Sequence, residues 1–473
     1  MHPTSICDSF VDVKEHNACQ CLERSGQNYG SSSNLTTLKS IGCNRATMPQ
    51  ILQSLRNAIS VSKGRSLLTL EKLWLWDNVM PLVPAQFFSN ISTKSLIVET
   101  SDVGEFAFGA LRQLSKTLFE LDLRNNALTK ISSDLLDDLV DLKHLTLSGN
   151  LLSSIEPGAF SHMTKLETLS LQRNKIASVD TSGTVEGAVN ETTHLFSGLI
   201  RLRTLDLSNN LLAVLHSVHV FSDLKSLTIL TLANNRLEYI NPLALIPLKS
   251  LKTLDLSGNR LTHFFPTSQE LVSQMSFSSS LTKLFLSRNL FTSLDDVGMN
   301  SLCAINSSQL QSLHFDGNRL TAIPSNTFSN CKNLVTLSIT NNVLTNLNTN
   351  SFSGLKSLRS LSLQQNTLKE LPSRLFQNNN RIVRIFLSHN LLTEIGKATF
   401  DGGSTSLSVI NLAHNKLTKL PYGTFHGLEQ LKKVYLNANN IRVLDNSTVA
   451  LFSDRVQVID LSGKQIILRY KHQ

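Results

Sequence analysis

Apolar and polar residues alternate along this chain in one recurring figure, LxxLxLxxNxLxxI. It reads as LFELDLRNNALTKI from Leu118, LKHLTLSGNLLSSI from Leu142, LETLSLQRNKIASV from Leu166 and LRTLDLSNNLLAVL from Leu202, and again within RIVRIFLSHNLLTEI over Arg381–Ile395. The L-x-L portion has the period of a strand, so both leucines face one side and the residues between them face the other. The Asn recurs from Asn78 and Asn126 through Asn390, Asn415 and Asn439, mostly at intervals of 24 or 25 residues. Ser101 and Lys464 hold its place in weaker copies, which brings the total to about sixteen coils.

A repeat of this length predicts an α/β repeat solenoid, because each coil can bury its apolar side only by stacking on its neighbours. The inward strand residues form the core, and successive strands form a parallel, concave sheet. The buried Asn has no access to water, so its amide must bond the backbone of its own and the adjacent coil. Ten residues after the Asn stand Phe160, Phe352, Phe376, Phe400 and Phe425, with Phe196 and Phe221 slightly displaced. These predict an aromatic stack on the side opposite the strands. Excess residues fall in an insertion over 180–193 and in irregular coils over 264–310, both expected to lie away from the strand face.

The composition suits such a core: 41% of the 473 residues are hydrophobic and 17% charged, which excludes wholesale disorder. Four of the six cysteines, Cys7, Cys19, Cys21 and Cys43, precede the repeats. Their spacing is not that of paired CxxC zinc ligands, and disulfides are the stronger reading. Cys303 and Cys331 fall on the non-strand sides of consecutive coils, where a further bridge fits.

The repeat figure resembles the extracellular type of leucine-rich repeat, and the likeness covers Leu70 onward. The resemblance implies a horseshoe with an N-terminal disulfide cap. We accordingly divide the chain into a cap over 1–66 and a solenoid over 67–473, with no C-terminal cysteine cap. The family's cap pairing implies Cys7–Cys21 and Cys19–Cys43, although the spacing here is wider than usual. The stretch after the first cysteines, LTTLKSIGCNRATMPQILQSLRNA followed by LEKLWLWDNVMPLVPAQFF and STKSLIVETSDVGEFAFGAL, resembles the start of the non-catalytic subunit family of arthropod luciferin monooxygenases. The later repeats resemble chaoptin, connectin and Toll-type ectodomains equally.

Sequons stand at Asn34, Asn90, Asn190, Asn306 and Asn446, none on a predicted strand, which suits glycans that leave the strand face bare. With the cap, they favour a secreted or cell-surface location. No secretory leader or membrane span is legible in the sequence, so any membrane attachment is expected through a segment outside it. The final repeat, with Lys464, Leu461 and Ile466, predicts an uncovered edge prone to self-association.

No HExxH, GxGxxG, phosphate-loop or nucleophile-elbow motif occurs, and neither catalysis nor a cofactor is expected. Asp122, Asp206 and Asp255 share an outward column on non-adjacent coils and make no evident acid pair. His389 and His414, like His216 and His219, lack the further ligands a metal site needs. Net charge is +9, and the outward strand positions near the C-terminal end carry Arg359, Arg384, Lys432, Lys433, His389 and His414 without an acid. Phe386 and Tyr435 stand among them. The N-terminal end instead offers Glu71, Asp77, Glu99, Glu120 and Asp122 around Trp74 and Trp76.

This predicts a recognition module that binds a protein or an acidic glycan, not nucleic acid, through Arg384, Phe386, His389, His414, Lys433, Tyr435, Trp74 and Trp76. An accessory subunit of a secreted enzyme complex and an intracellular scaffold are the alternatives.

Overall fold

A computed structural model of the chain describes residues 18–22, 39–61, 67–180, 194–264, 279–295, 298–304, 309–396, 398–402, 405–421, 423–444, 448, 456–462 and 467–468. It forms two compact units, Met1–Thr231 and Leu232–Gln473.

In the first unit, strand Cys19–Leu22 runs antiparallel to Lys39–Asn44, which places Cys19 opposite Cys43, Cα to Cα 3.9 Å, and the two are disulfide-bonded. Lys39–Asn44 then joins Leu68–Trp76 in parallel, so the cysteine segment supplies the first strand of the stack. Helix Met48–Val61 connects the two strands, with Ile51, Leu55 and Ala58 buried on one face. Parallel pairing continues through Ile91–Glu99, Glu120–Asp122, His144–Thr146, Thr168–Ser170, Thr204–Asp206 and Ile229–Thr231.

In the second unit the parallel series is Thr253–Asp255, Lys283–Phe285, Ser312–His314, Thr336–Ser338, Ser360–Ser362, Arg384–Phe386, Val409–Asn411, Lys433–Tyr435 and Val458–Asp460. Equivalent positions pair with no slip, as in Leu361, Ile385, Ile410 and Val434, all fully buried. Each such side chain withdrawn from water contributes roughly 1.5–3 kcal/mol, and a one-residue slip would turn the whole apolar set outward. The surplus residues before Ser312 include the short helix Met299–Ala304, and Cys303 is disulfide-bonded to Cys331, Cα to Cα 4.9 Å.

The ladder Asn acts as its burial demands. Asn390, 4% exposed, donates from Nδ2 to the carbonyls of Leu363 on the preceding coil and Leu387 on its own. Its Oδ1 accepts the Leu368 N–H at 3.1 Å. The same three-way pattern recurs at Asn150, Asn174 and Asn210 of the first unit and at Asn366, Asn415 and Asn439 of the second.

The aromatic stack is present in both units. Ring centroids are 6.5 and 6.1 Å apart along Phe160–Phe196–Phe221, and 6.1, 5.8 and 6.3 Å apart along Phe352–Phe376–Phe400–Phe425. Cys7, the Cys21 side chain, Lys464, Ile466 and residues 181–193 lie outside the described residues, as does much of the irregular region 264–310.

Candidate functional site

The strand face of the second unit is built by alternation. In Arg384–Phe386 the central Ile385 is fully buried, so Arg384 and Phe386 must face outward, the first exposed and the second half-buried. Register aligns Arg384 with Val409 and Lys433, and Phe386 with Asn411 and Tyr435. Phe386 and Tyr435 are thus two strand spacings apart, roughly 10 Å, with Asn411 between them. Asn411 is not the plain exposed side chain that its position suggests. Its Oδ1 accepts the Ala413 N–H at 3.0 Å and caps the turn that follows the strand.

His389 and His414 are not strand residues, contrary to the sequence expectation. Each lies just before its ladder Asn in a left-handed turn, with φ 57° and 54°. The chain must reverse there to send the Asn inward, and the turn aims the backbone N–H at the next coil. His389 donates to the Ala413 carbonyl at 3.0 Å and His414 to that of Asn437 at 2.9 Å. The same backbone occurs at Asn125 and Gly149 of the first unit and at Gly258, Asn341 and Gln365 of the second. Because the turns stack in register, the two imidazoles lie face to face, centroids 4.1 Å apart and planes 8° apart.

Arg359 and Lys432 are exposed immediately before their strands, beside Arg384 and Lys433. Among the described residues none of these four cations has an ion-pair partner. The acid-free stretch is bounded by Asp316, two residues past the end of strand Ser312–His314, and by Asp460, which pairs in register with Tyr435. The half-exposed Asp460 carboxyl titrates below its usual range because it accepts the Ser462 N–H.

Asp316 belongs to a network that sequence reading did not single out. Burial would raise its pKa, but hydrogen bonds involving His314, Ser338 and Thr340 outweigh burial and hold it at about 2, against 3.8 for a free carboxyl. Ser338 Oγ donates at 2.5 Å, and the Thr340 N–H and Oγ1 each donate at 2.8 Å. His314 stacks on Phe285, centroids 4.8 Å apart, and its Nε2 lies 2.8 Å from Ser312 Oγ. The segment SLHFD carried the signal, since His314 occupies the same outward column as Phe285 and Phe386.

In the first unit Trp74 and Trp76 share the outward side of Leu68–Trp76, centroids 4.5 Å apart. Trp74 Nε1 donates to Glu99 at 2.9 Å, and Lys72 Nζ stands 5.1 Å from the Trp74 ring centre. The acids expected to surround them are engaged. Asp77 pairs with Arg45 at 3.1 Å, Glu71 with Lys94 at 3.5 Å, and Glu120 accepts from Ser95 Oγ at 2.6 Å. Asp122, expected on the surface, is 1% exposed and bound to Arg124, whose guanidinium its hydrogen bond holds above the usual value. Arg45, Lys94 and Arg124 therefore offset part of the expected acidic field, while Glu120 is held by a neutral hydroxyl, which offsets no charge.

The remaining candidates are structural. Asp206 and Asp255 each accept the N–H two residues on, at 2.9 Å, and cap their turns. His219 stacks on His194 at 5.4 Å, and the His216 N–H donates to Asp180 at 2.7 Å. Among the described residues no group of three or more His, Cys, Asp or Glu side chains is placed to hold a metal ion. Likewise none of their helices is long and apolar enough to cross a membrane. Asn90 is exposed, whereas Asn34, Asn190, Asn306 and Asn446 lie outside the described residues.

Two family descriptions match this chain. A BspA-type leucine-rich repeat region matches residues 298–432, and a leucine-rich repeat matches residues 116–176, 200–261 and 405–466. Among solved structures, a leucine-rich repeat protein of Leptospira interrogans is 23% identical with a TM-score of 0.64, over 85% of this chain and 91% of that one. An internalin of Listeria monocytogenes is 20% identical with a TM-score of 0.51, over 72% and 86%. A chain of the Drosophila Toll–Spatzle complex is 18% identical with a TM-score of 0.65, over 98% and 67%. At these identities the likeness is one of fold.

Proposed function

With the chain a member of the leucine-rich repeat family, we propose that it is a non-enzymatic extracellular recognition module whose second unit binds a partner presenting acidic groups, a protein or an acidic glycan. The observation that carries this reading is the state of the charges. Among the described residues Arg359, Arg384, Lys432 and Lys433 stand exposed without ion-pair partners, while Glu71, Asp77 and Asp122 around Trp74 and Trp76 are paired with cations. Unpaired cations keep their field for an incoming ligand and speed its encounter, whereas paired charges contribute little at a distance. Phe386 and Tyr435 supply apolar contact between the cations, the composition of an interface hot spot.

His389 and His414 widen the same surface. Their stacked rings form a flat step just past the strand ends, on backbone fixed by hydrogen bonds to the following coils. The extracellular element of the proposal rests on the two disulfides, Cys19–Cys43 and Cys303–Cys331, which persist in oxidising compartments. The solved Toll–Spatzle complex supplies a precedent for partner binding by a chain of similar fold.

The test is adhesion of the purified chain to cell surfaces, with soluble heparin and an acidic polypeptide as competitors. Binding that either polyanion displaces supports the reading. Binding indifferent to both, or obligate co-purification with an enzyme, overturns it.

A further inference from the structure

In the first unit a groove of about 390 Å³ lies between helix Met48–Val61 and the turn leading into strand Ile91–Glu99. Its floor is apolar, with Leu55 and Phe87 buried and Leu52 and Ile59 half-exposed, and Arg56 and Asn90 stand at its rim. The size is at the low end for small-ligand sites. Asn90 opens the sequon Asn90-Ile91-Ser92 and is exposed. Its backbone is fixed, φ 61°, with the carbonyl accepting the Leu68 N–H at 2.8 Å.

We propose that Asn90 carries an N-linked glycan whose first sugar seats in this groove and fastens the helix to the coil beneath it. A hexosamine offers a C–H face and an acetamido methyl to the half-exposed Leu52 and Ile59, and leaves its hydroxyls to the polar rim. Attachment joins Asn90 Nδ2 to the sugar C1. The donor, a lipid-linked oligosaccharide pyrophosphate, loses its C1–O bond, the lipid pyrophosphate departs, and an Nδ2 proton goes to solvent. Ser92 is 8% exposed in the folded chain, so the transferase reads this sequon before the coil closes.

This inference rests on the extracellular part of the functional reading. The experiment secretes the full chain from eukaryotic cells and maps its glycopeptides. It then compares hydrogen exchange of Met48–Val61 in the intact glycoprotein, after trimming to a single sugar, after complete removal by an amidase, which leaves Asp at position 90, and in the never-glycosylated chain that retains Asn90. The expected result is an occupied Asn90, unchanged exchange after trimming, and exchange about fivefold or more faster in both bare forms. Leu52→Ser should shrink the difference between the sugar-bearing and bare forms, because it removes one of the two accessible apolar side chains of the floor. A bare Asn90 beside occupied Asn34, Asn190, Asn306 or Asn446 overturns the inference alone, as does exchange that is not faster in both bare forms. A secreted chain bare at every sequon overturns the extracellular reading with it.

Discussion

The imidazoles of His389 and His414 lie parallel, 4.1 Å apart, because each residue occupies the same left-handed turn on consecutive coils. The pairing is a product of backbone geometry, and it has consequences for substitution. His389→Val puts a β-branched side chain at positive φ and should cost about 1–2 kcal/mol in denaturant unfolding. His389→Asn, a residue that tolerates this backbone, should stay within about 1 kcal/mol of the parent although the ring contact is lost. Equal losses for both would show that ring stacking, not the turn, governs the position.

The ladder is tested at Asn390. Replacement by Ala leaves the Leu363 and Leu387 carbonyls and the Leu368 N–H without its amide, and should cost about 1–3 kcal/mol. Asn411→Ala removes one half-exposed turn bond, to Ala413, and should cost less than about 1 kcal/mol. Calorimetric melting of the two variants should separate them clearly.

Asp316 predicts a pH dependence. Its carboxyl titrates at about 2 in the fold and at 3.8 when free, so folding favours the charged form. The stabilisation, about 2 kcal/mol, is complete well above the free value and is lost as the pH falls through about 2. Asp316→Asn should therefore be less stable than the parent at neutral pH, with the gap narrowing steadily in acid. A gap that does not change with pH would assign Asp316 a packing role only.

These cases also show what sequence could reveal. Leu, Asn and Phe at fixed spacing are imposed by burial, so the inward residues, the Asn390 ladder and the Phe352–Phe425 stack were all legible. The left-handed turn was not, because His, Gln and Arg occupy it in several coils. Asn125, Gly149, Gly258 and Asn341 at the equivalent place were the available signal, being residues that accept positive φ readily. The neutralised acids were hidden for a different reason. Arg45 and Asp77, or Lys94 and Glu71, meet only because neighbouring strands bring residues more than twenty positions apart into contact. At the candidate site the column of Arg384 and Lys433 followed from period alone, whereas the intervening cap at Asn411 required coordinates.

The central claim, that the unpaired cations and aromatics of the second unit form a binding face for acidic groups, is tested most directly by a salt series. Retention of the parent, Arg384→Ala, Lys433→Ala and Phe386→Ala chains is measured on immobilised heparin and on immobilised polyglutamate. Exposed charges are screened beyond about 8–10 Å at physiological salt, so the two cation variants should lose several-fold affinity at low salt and converge on the parent as salt rises. Phe386→Ala should weaken retention throughout the series on at least one support, because apolar contact is not screened. Retention unchanged in all three variants on both supports would contradict the account.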